Sequence, residues 1–275
     1  MNKSDVLIKW TGTKRFQSKN IVQYFPKKIN NYLEPFAGSC SILWEILNNE
    51  NIKVQQYICS DINQNLIDLW KNIKNNPYKL SSDYRNLWND LNNKNDKDRN
   101  NHWYKIREEF NKFKDPSIFL FLNRTCYNGL IRYNSIGEFN TSYHFSRKGI
   151  DPETLHNIIL KWHKKLVEKN VIFNYENYVN IISEPEDFMY FDPPYSKSDS
   201  MYYGKIDLNE FFTYLSNLKC KWILSFDGFQ NDISNIYNIP KDLYKKHILI
   251  ESGNSSFSKL KGNNVSVKES IYLNF

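Results

Sequence analysis

This sequence has no framework for disulfides or metals. Its four cysteines, Cys40, Cys59, Cys126 and Cys220, lie far apart and form no C-x-x-C pair. A disulfide scaffold and a zinc ribbon are therefore both excluded. The five histidines (His102, His144, His156, His163, His247) form no H-x-x-x-H or H-x-H pair. His156 and His163 share a helix face two turns apart and read as packing or surface groups, so no metal is expected. Met1 to Trp10 is charged and lacks the apolar core of a signal peptide. No apolar run approaches the roughly 20 residues of a membrane helix. Nothing repeats, and no Pro/Gly/Ser-rich linker divides the chain. The expectation is a reduced, cytoplasmic protein with no membrane partner.

Aromatic residues and positive charge are plentiful. The 275 residues include 19 Tyr and 18 Phe, and 37 Lys plus Arg against 30 Asp plus Glu give +7, with a pI near 9.0. Aromatics at 16% suit stacking on flat ligands, although most of them serve packing. The positive excess fits a polyanion such as nucleic acid. A lysine-rich bias from AT-rich coding DNA gives the same sign, so charge alone leaves the partner open.

The length fits one core with a smaller inserted module. Ser18 to Phe25 has a short helical pattern. Asn31 to Phe36 reads as a strand entering a glycine-containing turn, and Ser41 to Leu47 as the helix that follows. Gln56 to Ser60 is a second strand ending at Asp61, and Asn63 to Lys74 is a helix with Leu66, Leu69, Trp70 and Ile73 on one face. Strand, turn, helix, strand, acid is the order of a doubly wound nucleotide-binding half. Composition then changes. Asn89 to Asn101 is nearly all Asn, Asp, Lys and Arg and reads as a surface loop or helix connection. Asp115 to Arg124 is an apolar helix, and Asn128-Gly129 and Ile136-Gly137 punctuate a hairpin or extended loop. Beyond this insertion, taken as 77–149, Asp151 and Pro152 start a helix to about Lys169. Val171 to Tyr175, Phe188 to Phe191, Trp222 to Phe226, His247 to Glu251 and Ser266 to Phe275 read as strands, with a helix from Asp207 to Leu218. Residues 1–76 and 150–275 are thus expected to build one sheet.

The strongest chemical signal is Asp192-Pro193-Pro194-Tyr195, directly after the strand ending at Phe191. Two prolines remove two backbone donors and stiffen the carboxyl end of that strand, where open α/β sheets bind ligands. An amino group on a ring needs acceptors for its hydrogens and a surface to lie on. Asp192 and the Pro193 carbonyl supply the acceptors, and Tyr195 supplies the aromatic face. Such a site keeps the nitrogen lone pair available to an incoming methyl group without a covalent enzyme intermediate. A second signal is Glu34 to Cys40, whose Gly38 admits close approach to the backbone. Asp61 at the next strand end can bind ribose hydroxyls, or serve as an Asx turn before the helix.

Together these residues resemble the DNA adenine methyltransferases of the Dam type, in which a cofactor motif comes first and a DPPY motif last. Lys9-Trp10-Thr11-Gly12-Thr13-Lys14 is similar to the family's KW-x-G-G-K, with Thr13 in place of the second glycine. Glu34 to Ser41 resembles its EPF-x-G-x-G-S turn, with Cys40 at the second glycine. Ser60 to Asn63 resembles its A-D-I-N. Asn123 to Asn134, continuing through Gly137-Glu138-Phe139-Asn140, resembles its DNA-recognition hairpin.

The resemblance implies an α/β, Rossmann-like core with a mixed seven-stranded sheet, binding S-adenosyl-L-methionine (AdoMet), and an inserted helical and hairpin target-recognition domain. It assigns Trp10, Lys14, Phe36, Gly38, Asp61 and Asp192 to the cofactor, and Asp192, Pro193 and Tyr195 to catalysis. Arg124, Tyr127, Asn128, Leu130, Arg132 and Asn134 fall to double-stranded DNA, with Tyr127 beside a flipped-out adenine. Relatives that methylate GATC tend to continue the hairpin with Val-Pro, whereas Thr141-Ser142 stands here and offers hydroxyls. A working monomer is expected, with room for a cognate restriction endonuclease. A cytosine-C5 enzyme is excluded, since no cysteine follows a proline. An N4-cytosine or RNA-directed amino methyltransferase, or a catalytically silent DNA-binding relative, stays open at this point.

Overall fold

The computed structural model describes residues 1, 5–194, 206–230, 233–234, 236, 238–254 and 266–275. Among these residues eight strands form one mixed sheet: β1 (Lys28–Glu34), β2 (Lys53–Asp61), β3 (Ile172–Tyr175), β4 (Phe188–Phe191), β5 (Lys221–Gln230), β6 (Ile233–Ser234), β7 (Lys246–Asn254) and β8 (Ser266–Leu273). Seven of them run in the order β3-β2-β1-β4-β5-β8-β7, and the two-residue β6 pairs with β5 off this path. The first five are parallel, while β8 and β7 add antiparallel. The strand order reverses between β1 and β4. That switch point opens a crevice at their carboxyl ends, where the Glu34 turn and the Asp192 prolines both emerge.

Alternation along the strands builds two cores. Tyr32, Phe188 and Tyr190 face one apolar cluster, and Leu33, Met189 and Phe191 face the other. Helix α8 (Leu208–Asn217) covers the second face with Phe211 and Leu215. Helices α1 (Ser18–Val22), α2 (Ser41–Leu47), α3 (Gln64–Asn75) and α7 (Pro152–Glu168) belong to the first. There Trp162 of α7 meets Trp44 at 4.4 Å and Trp70 at 4.7 Å between ring centroids. Each such buried indole contributes several kcal/mol, roughly 3–5 on truncation. The α7 start is as the sequence predicts, with Asp151 accepting from Thr154 N at 2.9 Å and Pro152 in the first turn.

Between α3 and α7 come α4 (Pro77–Asn92), α5 (Asp96–Phe113) and α6 (Pro116–Thr125). The polar run Asn89–Asn101 is mostly helical, and only Asn93–Asn95 connects α4 to α5. Asn95 Oδ1 caps Asp98 N at 3.0 Å. Trp103, Ile106 and Phe110, spaced by three and four, bury one stripe while the polar remainder faces water. These helices share the first apolar cluster with the sheet. Residues Cys126–Tyr143 then form a loosely paired hairpin. Its bridges are Cys126↔Tyr143 and Tyr133↔Phe139, and it lies on the helices through Phe139 against Phe110 and Tyr143 against Trp103. No helix among the described residues is long and apolar enough to cross a membrane.

Candidate active site

The turn after β1 is shaped by one close contact. Gly38 has φ +46°, and a Cβ there would lie 2.7 Å from Trp10 Nε1. A side chain would push the indole away, so glycine is required. Trp70 Nε1 donates to the Gly38 carbonyl at 3.0 Å. Cys40 also takes a left-handed backbone, φ 53°, at a cost of about 1–2 kcal/mol for a residue with a side chain. The departure at Thr13 has a local answer: its hydroxyl lies 2.8 Å from Ser39 Oγ and 2.7 Å from Ser41 Oγ. It ties the N-terminal motif to the turn.

Asp61, at the end of β2, accepts from Gly38 N (3.1 Å) and Asn63 N (2.9 Å). Burial pushes its carboxyl up to about 6 against the pull of these amides. Glu34 is buried beside it, and burial raises it to about 8 although the Tyr32 hydroxyl donates to Oε2 at 2.7 Å. Lys14 is 3% exposed, with Nζ 2.8 Å from Asp192 Oδ1 and 3.7 Å from Glu269 Oε2, and it donates to Gly12 O at 3.1 Å. Burial favours its neutral form, but the Asp192 and Glu269 charges outweigh this and hold it above the usual lysine range.

Trp10, Lys14, Phe36, Gly38, Asp61, Asp192 and Pro193 all line one cleft. Tyr195 lies outside the described residues. The Lys14 ammonium is committed to carboxylates, so its contact within the cleft is first with Asp192. Sequence reasoning missed the opposite wall. Tyr178, from the turn after β3, packs on Phe36 at 5.4 Å, and Asn177, Ile206 and Glu210 join it. No motif marked those residues. Asn63 also lines the cleft, and its Nδ2 is buried without a hydrogen-bond partner among the described residues. Among the described residues no group of three or more His, Cys, Asp or Glu is placed to hold a metal ion.

The residues expected at DNA divide. Tyr127 is 54% exposed and stacks on His144 at 5.4 Å. Asn128 is exposed with φ 55°, and Arg132 is exposed with its Nε on Asn140 Oδ1 at 2.8 Å. Leu130 is half-buried. Asn134 shapes the hairpin tip, its Oδ1 accepting from Ile136 N and Glu138 N. Arg124 corrects the expectation. It is buried, and its guanidinium donates to Val6 O (3.3 Å) and Leu7 O (3.4 Å), binding α6 to the N-terminal segment instead of facing solvent. Thr141 is a second correction, because its hydroxyl is buried and donates to Leu130 O at 2.8 Å, leaving Ser142 exposed.

Lys9 emerges beneath this surface. Its backbone is clamped by Asn123 at 2.8 and 2.7 Å, and its side chain fills the space a Cβ at Gly129 would need. Burial, with Arg147 and Arg124 nearby, lowers its pKa to about 8. Its place at the head of the first motif was the available signal.

A family model for D12 class N6 adenine-specific DNA methyltransferases matches residues 10–257. The Type II methyltransferase M.MjaIII of Methanocaldococcus jannaschii is 33% identical over 221 residues, 74% of each chain. The DNA adenine methylase of Serratia marcescens is 33% identical over 202 residues, covering 71% of this chain and 68% of that one. The Type II methyltransferase M.CviBI of Paramecium bursaria Chlorella virus NC1A is 26% identical over 254 residues, covering 88% and 90%. With the switch-point cleft and the ordered motifs, these matches show that the chain belongs to the D12 class N6 adenine-specific DNA methyltransferase family.

Proposed function

We propose that the chain uses AdoMet to methylate the N6 amino group of an adenine turned out of duplex DNA, with Asp192 at the reacting amine. The observation that carries this reading is the pairing of the buried Lys14 ammonium with the half-buried Asp192 in the cleft that also holds Gly38 and Asp61. The cleft suits an adenosyl ligand. Phe36, Ile62 and Tyr178 offer apolar walls, Asp61 has lone pairs left for ribose hydroxyls, and the unpartnered Asn63 Nδ2 offers a donor. Bound AdoMet supplies an electrophilic methyl carbon on a cationic sulfur.

Asp192 and the Pro193 carbonyl accept the two amine hydrogens and orient the lone pair. As positive charge grows on nitrogen, the carboxylate stabilises it more than it stabilises the neutral base, so the contact favours the transition state. Tyr195, next in sequence, is assigned the stacking face. The 77–149 module, through Tyr127, Asn128, Leu130 and Arg132, is assigned to the duplex. One cleft and one hairpin suffice for one base, so the working unit is a monomer.

Asp192→Ala is expected to slow single-turnover methyl transfer by at least about 100-fold. AdoMet and DNA dissociation constants should change far less. Turnover near the wild-type rate in this variant would remove Asp192 from the site.

A further inference from the structure

Strand β8 carries none of the motifs read from the sequence, yet it supplies a second carboxylate to the buried ammonium. Glu269 Oε2 lies 3.7 Å from Lys14 Nζ, which Asp192 Oδ1 approaches at 2.8 Å. Glu269 is itself held from two directions. Ser252 of β7 donates to its Oε1 at 3.2 Å, and Gln17 Nε2 reaches the same oxygen at 3.4 Å. Oε2 is buried and makes no hydrogen bond among the described residues, where the Lys14 ammonium is the cation paired with it.

The charge count decides what this second acid does. Lys14 with Asp192 alone would form a neutral pair, and the carboxylate's negative charge would be spent on the ammonium. Two carboxylates around one ammonium leave one net negative charge. In a water-poor cleft that charge acts strongly on any cation developing beside it. Of the two acids, Asp192 lines the cleft and Glu269 does not. We propose that Glu269 is a positioning residue for methyl transfer: by sharing the Lys14 ammonium it keeps the Asp192 carboxylate oriented and electron-rich toward the target amine. This rests on the assignment of Asp192 made above.

The groups around Glu269 are Lys14 and Gln17 from the N-terminal segment, Asp192 after β4, Asp227 in β5 and Ser252 of β7. Burial and the neighbouring acids raise the Glu269 pKa, and Lys14 opposes them. The ionised form therefore carries an acidic limb in the rate–pH profile.

The test compares wild type, Glu269→Gln, Glu269→Asp and Asp192→Asn. Its readouts are single-turnover transfer of labelled methyl from AdoMet to duplex DNA, equilibrium binding of both ligands, and thermal melting. Glu269→Gln is expected to slow transfer about 10- to 100-fold with little change in either dissociation constant. At saturating AdoMet its acidic limb should shift relative to wild type, and Glu269→Asp should recover part of the rate. Wild-type transfer in Glu269→Gln with an inactive Asp192→Asn overturns the role of Glu269 and leaves Asp192 in place. Activity in Asp192→Asn removes both assignments. Parallel loss of rate, binding and melting temperature in Glu269→Gln, unrelieved in Glu269→Asp, marks a purely structural residue and also overturns the proposal.

Discussion

A carboxyl that serves sugar hydroxyls accepts best when ionised, and Asp61 begins from a pKa pushed up to about 6 by burial. Its folded value lies above that of an unfolded Asp, so it favours the fold fully below about pH 4. That contribution is lost as pH rises through about 6. A ligand that prefers the ionised form must bind more tightly over the same interval. AdoMet affinity, followed by calorimetry, is therefore expected to rise about tenfold from pH 5 to pH 7. In Asp61→Asn it should be weaker and flat across that range. A flat wild-type profile would detach Asp61 from the ligand. Glu34, raised to about 8, titrates above this window and leaves the comparison clean. Neither shift is visible in a sequence, because both depend on how deeply β1 and β2 are buried.

At the scale of elements, the proposed reading of bases falls to the hairpin, and the structure narrows what its Thr141-Ser142 end can do. The Thr141 hydroxyl is spent on Leu130 O, so any change in discrimination falls to Ser142, whose carbonyl also accepts from Tyr127 N at 2.8 Å. A polar group exchanged for a rigid apolar one at a base edge shifts preference by about 1–3 kcal/mol per base pair. The expected methylation context is an adenine site that shares part of GATC and differs elsewhere, to be read by single-molecule sequencing of methylated plasmid. Modification confined to GATC would refute this. The same hairpin marks where sequence reasoning reached its limit. The exposure of Tyr127, Asn128 and Arg132 was legible because turn residues and polar groups announce themselves locally. Arg124 was misread because its burial depends on Val6 and Leu7, more than a hundred residues away. Helix α5 was not resolved from the residue pattern because an Asn- and Lys-rich run hides its narrow apolar stripe of Trp103, Ile106 and Phe110. The doubly wound order, by contrast, was legible from strands as apolar as Phe188–Phe191, all four of which are buried. The cleft was half legible. Its motif wall announced itself, while Tyr178 in the cleft and Glu269 behind Lys14 came from segments whose patterns differ in nothing from ordinary loop and strand.

For the molecule as a whole, the net charge of +7 draws it to any polyanion, and the cluster around Lys9 shows where that charge is held at a cost. Burial and the nearby Arg147 and Arg124 lower the Lys9 pKa to about 8. A lysine depressed in the fold favours it above the unfolded lysine value, near 10. That stability is lost as pH falls through about 8, so at neutral pH the folded protein carries an unrelieved positive cluster. Phosphates placed against the hairpin would relieve it and raise the Lys9 pKa again. DNA binding at pH 8 should therefore take up to about half a proton per complex, and near none at pH 6.5 where Lys9 is already charged. Calorimetric titrations of duplex DNA in two buffers of different ionisation enthalpy measure this directly. The uptake should vanish in Lys9→Met, which keeps the apolar stem against Gly129 while removing the charge. Equal heats in both buffers at pH 8 would mean that DNA does not approach this cluster, and that the duplex lies on another face of the molecule.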